Sequence, residues 1–181
     1  MVIGGADDRA VYVALVAAVA VERLIELAIS RRHARRLRAR GGVEAGGEHY
    51  PMMVAVHTAF LAACPLEVYG FQRPLLPWLA LPMLLLLVGS MALRYWVVAT
   101  LGERWSTRVI VLPGAAPVER GPFRYLRHPN YLAVIVEMAA LPLIHSAWIT
   151  AIVFSAANAA ILRTRIATED AALGRAAGGL P

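Results

Sequence analysis

Residues 121–143 read "GPFRYLRHPNYLAVIVEMAALPL". Arg124, Arg127 and His128 stand directly before a long apolar run, with Pro129 and Tyr131 at its mouth. A proline favours an extended residue before it and suits the first turn of a helix. The stretch therefore predicts a helix that begins at Pro129 and enters an apolar phase, with His128 held just outside its start. Free backbone N–H groups at such a start attract negative groups.

The rest of the chain supplies that apolar phase. Of its 181 residues, 59% are hydrophobic, against roughly 45–50% for a soluble domain. The apolar residues gather into blocks at 10–29, 51–69, 75–101, 131–143 and 148–162. Long apolar blocks predict membrane spans. The 131–143 block is short for a span, and Pro142 with His145, Ser146 and Ala147 predicts a tight turn before the next. The expectation is an all-α integral membrane protein of about five helices, the last two forming a helical hairpin and the last continuing into "RTRIATEDAAL". It is read as one membrane-embedded domain over 1–181, with a three-helix part at 1–101 and a second part at 102–175. No strand is expected.

Charge gives the orientation. The net charge is +6, and no lysine is present. Six arginines lie between 31 and 40, five between 104 and 127, and Arg163, Arg165 and Arg175 follow 162. Five alternating helices put all of these on one side, leaving Arg9 and Arg73 opposite. The positive-inside rule makes the arginine-rich side cytoplasmic, at the inner membrane, with the N-terminus outside. Because the arginines flank apolar blocks, a lipid membrane explains the basic balance better than nucleic acid does. The first ten residues are acidic and carry no basic n-region, so the first block is expected to be a retained anchor. A lone cysteine, Cys64, excludes an intrachain disulfide and a cysteine-based zinc site, and no metal is expected.

Two polar constellations stand out. Arg127, His128 and Tyr131 can together grip a small anionic or zwitterionic ligand, although arginine and tyrosine are also ordinary membrane-edge residues. On the last helix Asn158, Arg165 and Glu169 are spaced i, i+7, i+11 and fall within ~40° of one another, with Asp170 adjacent. An exposed Arg–Glu pair would explain the last two but not Asn158, which should lie in hydrocarbon. Glu22, Glu26, His57, Arg94 and Glu137 are further polar residues inside apolar blocks. A charge at mid-membrane costs ~3 kcal/mol, so each should have a partner or a watery pocket. Glu22 or Glu26 with Arg94 is the expected ion pair.

The series "LRYWVVATLGERWSTRV", "LPG", "VERGPFRYLRHPNYLAV" and "RIATEDAAL", over about residues 93–173, resembles the isoprenylcysteine carboxyl methyltransferase family. The N-terminal half, with "ERLIELAISRRHARRL" and "GGVEAGGEHYPMMVAVH", is similar to a short bacterial branch associated with type III polyketide synthases and methylation of alkylpyrones or alkylresorcinols. The resemblance implies an integral-membrane methyltransferase using S-adenosylmethionine. It places His128, Pro129 and Tyr131 in the cofactor pocket with Arg127 beside them. Glu169 and Asp170 would engage the cofactor's amino or ribose end, and Arg165 would orient a lipophilic acceptor entering from the bilayer. Ala133 stands where many members have glycine, Asp170 replaces a second glutamate, and the family's longer tail is absent after Leu173; Arg175 is the residue available to replace an arginine of that tail.

The residues alone are consistent with that chemistry. Methyl transfer from a sulfonium needs positioning and exclusion of water, and no G-x-G-x-x-G loop is present to hold the cofactor otherwise. A carboxylate acceptor is already ionised, whereas a phenol of pKa ~10 is helped by a base. Glu137, Glu169 and His57 are the available bases, and Arg165, Glu169 and Glu137 form the candidate catalytic set. An isoprenylcysteine-type carboxylate is the second acceptor. A nicotinamide-dependent membrane reductase and a non-enzymatic scaffold with paired buried charges are the alternatives of other classes.

Overall fold

The computed structural model describes residues 6–177, and the side chains of 7–174; the side chain of Arg175 lies outside them. Five helices appear in the expected order: α1 (Ala6–Ala39), α2 (Tyr50–Gly70), α3 (Pro77–Leu101), α4 (Pro129–Leu143) and α5 (Trp148–Ala177). The protein is a predominantly helical membrane protein. Three helical segments, Gly47–Gly70, Pro77–Arg104 and Trp148–Gly174, are long and apolar enough to cross a membrane, and α4 is a shorter apolar helix. Val11, Leu24, Trp78, Leu81, Leu85, Val88 and Ile152 leave their side chains exposed on the outer faces, as lipid-facing residues do.

Prolines open the helices. Pro51, Pro77 and Pro129 sit in the first turns of α2, α3 and α4, where a missing N–H costs nothing. Helix α1 runs ten residues past the apolar block, because 30–39 are arginine, alanine, leucine and other helix-compatible residues. It stops at Gly41, whose φ of +83° lets the Gly42 N–H reach the Leu37 carbonyl at 2.8 Å.

Tyr12, Val16 and Val19 of α1 pack with Phe60, Cys64 and Val68 of α2, Leu87 of α3, and Met138 and Leu141 of α4. This apolar core fills the end of the bundle where α4 turns into α5. There the Tyr12 hydroxyl donates to the Leu141 carbonyl at 3.2 Å. Glu67 of α2 caps α5 from outside: its carboxylate accepts the Ile149 N–H at 3.1 Å and the Thr150 N–H at 2.6 Å, and Arg73 Nε donates to it at 3.0 Å. A carboxylate at a helix start satisfies orphan N–H groups and complements the dipole. Glu67→Ala is expected to lower stability by about 1–2 kcal/mol, measured by unfolding in mild detergent. An unchanged midpoint would remove the capping role.

At the opposite end the chain forms two short strands that were not expected: β1 (Val43–Ala45), after α1, and β2 (Val109–Val111), after α3. They pair antiparallel, Glu44 facing Ile110. Each is three residues long, too short to show an alternating pattern. Their pairing brings the two arginine-rich loops to one end of the bundle. Glu44 is the clasp: Arg38 and Arg108 both donate to it, Arg108 Nη1 at 2.6 Å. Partial burial pushes the Glu44 carboxyl up, but the two arginines outweigh it and hold it below the ordinary carboxylate range. A depressed carboxyl stabilises the fold above its unfolded pKa and stops doing so as pH falls through its folded one. Amide exchange in β1 and β2 should therefore accelerate below the ordinary carboxylate range, and Glu44→Gln should abolish that acid dependence.

Candidate active site

Helices α4 and α5, joined by the turn at Ile144–Ala147, run back to the strand end of the bundle side by side. There Gly121–Arg124 forms a 3-10 turn seated on α3. Gly121 has φ of +60°, and a Cβ on it would meet Thr100 Oγ1 at 2.4 Å, so only glycine allows this seat. The turn delivers the chain to His128, with Pro129 buried as the first residue of α4.

One turn into α4, Tyr131 reaches the last helix. Its hydroxyl donates to Glu169 Oε2 and accepts from Arg165 Nε at 3.1 Å. His128 stacks on the Tyr131 ring, centroids 5.3 Å apart and planes 28° from parallel. On the other side, His128 Nε2 is 3.2 Å from Asp170 Oδ1, close enough to pair when charged but not aligned as a hydrogen bond. The structure therefore brings His128, Tyr131, Arg165, Glu169 and Asp170 together from stretches 38 residues apart. Arg127 is exposed and, among the described residues, makes no hydrogen bond or ion pair with this group.

Arg165 is held from three sides. Besides Tyr131, its Nη1 is 3.2 Å from the Met53 sulfur and its Nη2 donates to the Thr107 carbonyl. The segment around Thr107 is tied to α1 in turn: Ser30 Oγ is 2.8 Å from Thr107 Oγ1, and His33 Nδ1 donates to the Trp105 carbonyl at 2.9 Å. Met53 and Thr107 were not singled out from the sequence. Nothing local marks them; the serine–threonine pair after Trp105 is the faint signal. Beyond Arg165, a cleft of about 20 Å³ lies between β1, α2, β2 and α5, lined by Glu44, His49, Tyr50, Arg108 and Thr168. Arg108 lies 4.0 Å over the Tyr50 ring there.

His128 Nε2 and Asn130 Oδ1 at the start of α4 and Asn158 Oδ1 along α5 are buried and make no hydrogen bond, although His128 Nε2 has the Asp170 carboxylate at 3.2 Å. Asn158 is 2% exposed, which agrees with its predicted place on the inner face of α5. Buried polar atoms are normally satisfied, so such orphans mark places for water or a ligand.

The ion pairs inside the bundle include the expected one between Glu26 and Arg94, but Glu137 is the tighter partner. Arg94 pairs with Glu137, Nη2 to Oε2 at 2.5 Å, and reaches Glu26 at 3.8 Å. Glu22 instead pairs with Arg23, which also holds Glu26 at 2.5 Å and approaches Glu137 at 3.4 Å. The rotation of α4 decides this: it turns Glu137 between α1 and α3, into a charge cluster separate from the Tyr131–Glu169 contact.

A sequence model of the isoprenylcysteine carboxyl methyltransferase (ICMT) family matches residues 83–175. The chain is 36% identical over 160 residues to the uncharacterized protein YpbQ of Bacillus subtilis, covering 88% of this chain and 94% of that protein. It is 31% identical over 156 residues to an uncharacterized protein of Haemophilus influenzae, covering 83% and 88%. No solved structure matches it significantly.

Proposed function

Because the chain belongs to the isoprenylcysteine carboxyl methyltransferase family, we propose that it is an S-adenosylmethionine-dependent O-methyltransferase of the inner membrane. Members of that family are methyltransferases that use S-adenosylmethionine as methyl donor. The acceptor is a lipophilic small molecule that enters from the bilayer, a long-chain alkylpyrone or alkylresorcinol. The arginine-rich end faces the cytoplasm and the N-terminus lies outside, following the positive-inside rule.

The observation that carries this reading is the Tyr131 hydroxyl bonded to both Glu169 and Arg165, with His128 stacked on Tyr131 and set against Asp170. These groups fit the donor. Glu169 uses Oε2 for Tyr131 and, among the described residues, leaves Oε1 without a protein partner. Glu169 and Asp170 can take an ammonium or ribose hydroxyls. The Tyr131 ring is flanked by His128 and by the Arg165 guanidinium, 5.9 Å from its centroid, so the contacts to the donor come from the carboxylates. His128, Pro129 and Tyr131 then line the donor side, with Arg127 at the rim. Arg165, fixed by Met53 and Thr107, orients the acceptor.

The supply of the methyl group is the cofactor's chemistry. The protein's part is to hold donor and acceptor in line and keep water out. Glu137 serves by holding the charge cluster. The unit is one domain, 1–181, in which the part at 102–175 binds the donor against the helices of 1–101. An isoprenylcysteine-type carboxylate is the competing acceptor, since Arg165 can hold it without a base.

The test is membranes containing the protein, methyl-labelled S-adenosylmethionine and an alkylresorcinol. Label in a methyl ether is expected. Label only in methyl esters favours the carboxylate acceptor, and no protein-dependent label sinks the methyltransferase reading.

A further inference from the structure

The charge inside the bundle is unevenly matched. Glu22, Arg23 and Glu26 of α1, Arg94 of α3 and Glu137 of α4 form one cluster, with a carboxylate more than the guanidiniums can neutralise. Glu26, Arg94 and Glu137 are buried. Charge at that depth is costly and marks function by default.

His57 of α2 lies within electrostatic range of Glu137, Arg94 and Arg23 of this cluster. Its Nδ1 is 2.8 Å from the Met53 carbonyl. A carbonyl only accepts, so this contact assigns the proton to Nδ1 and leaves Nε2 with its lone pair. Among the described residues, no protein group hydrogen bonds to that nitrogen. Met53, whose carbonyl sets this tautomer, is also the residue whose sulfur touches Arg165. His57 thus lies one turn, about 6 Å, farther into the bundle than the contact with the Arg165–Tyr131–Glu169 group.

We infer that His57 is the general base of the methyl transfer, taking the proton from a hydroxyl of an acceptor lodged beneath Arg165. The inference rests on the methyltransferase reading above and narrows it: the acceptor carries a neutral phenolic or enolic hydroxyl rather than a carboxylate. The acceptor O–H bond breaks and its proton goes to Nε2. The freed pair on oxygen forms the O–CH3 bond as the S–CH3 bond breaks, and the electrons of that bond stay on sulfur as a neutral thioether. Glu137 of α4 stabilises the imidazolium. Arg23 of α1, Arg94 of α3 and Arg165 of α5 oppose it. The proton returns to water when product leaves.

His57→Asn keeps a donor for the Met53 carbonyl but has no base at the Nε2 position. With an alkylresorcinol as acceptor, its kcat should fall about 10²–10⁴-fold at pH 7. Its S-adenosylmethionine affinity should stay within about threefold of the parent, since only a transition-state interaction is lost. The deficit should shrink as pH rises toward the acceptor's own ionisation. A readout independent of turnover is acylation by diethyl pyrocarbonate, followed by peptide mass spectrometry. The alkylresorcinol should slow modification of His57 but not of His49. A variant that keeps kcat within about threefold, a loss that does not change with pH, or unprotected His57 overturns the inference. So does a parent enzyme that binds S-adenosylmethionine yet methylates only carboxylates. A parent that binds no S-adenosylmethionine fails at the earlier step and removes both readings.

Discussion

Glu169→Ala is expected to weaken S-adenosylmethionine binding on the order of 100-fold, the equivalent of ~2–3 kcal/mol for a charge-assisted hydrogen bond in a partly buried site. The variant loses more than a direct contact with the donor. The Tyr131 hydroxyl loses its acceptor and Arg165 loses a neighbouring negative charge. Glu169→Gln keeps an acceptor for Tyr131 and loses only the charge, so it should fall between parent and alanine variant. Neither should unfold the protein, because the carboxylate is only half-buried and sits on a helix fixed elsewhere by its Glu67 cap. Calorimetric titration gives the affinities, and a thermal melt shows that the fold persists. Parent-like affinity in Glu169→Ala would remove this carboxylate from the donor site.

The largest effect on stability is expected at Arg94. Its side chain is 7% exposed and stands between Glu137 and Glu26. Arg94→Ala leaves Arg23 as the one guanidinium for Glu22, Glu26 and Glu137, two of them buried, and should cost about 3–5 kcal/mol. Replacing Arg94 and Glu137 together by leucine removes the pair rather than breaking it, and should cost much less than the single change. The comparison that isolates burial is Arg36 with Glu103, whose side chains are 44% and 53% exposed. Arg36→Ala should cost no more than ~1 kcal/mol. Unfolding midpoints in one detergent would rank the three. Equal costs for Arg94→Ala and Arg36→Ala would mean that the cluster is wet and gives the bundle nothing.

Much of this architecture is legible in the sequence because the bilayer restricts what a helix can be. The apolar block at 51–69 becomes Tyr50–Gly70, and that at 75–101 becomes Pro77–Leu101, each opened by a proline. The hairpin of α4 and α5 follows from Pro142 and the short polar turn after it. The first block is a weaker guide, because the helix continues through arginines until Gly41. The strands are illegible: Val43–Ala45 and Val109–Val111 are too short and too distant in sequence to announce their pairing.

The site divides the same way. Tyr131, Arg165 and Glu169 are visible because a proline-led helix start and an i, i+4 pair are local patterns. Met53 and Thr107, which hold the guanidinium, come from other elements and look like any span or loop residue. Partner choice within the membrane is hidden for a related reason. Hydropathy shows that Arg94 needs a carboxylate, but only the rotation of α4 selects Glu137 over Glu22. The fixed tautomer of His57 is hidden too, since it depends on a backbone carbonyl one turn back.

The central claim is that the two stretches carrying His128 and Glu169 enclose one methyl donor. Titration of the purified protein with S-adenosylmethionine, in parallel with His128→Ala and Glu169→Ala, tests it most directly. Saturable binding at one site in the parent, weakened by each substitution while the fold persists, is the predicted result. Binding untouched by both changes, or no saturable heat in the parent, would contradict it.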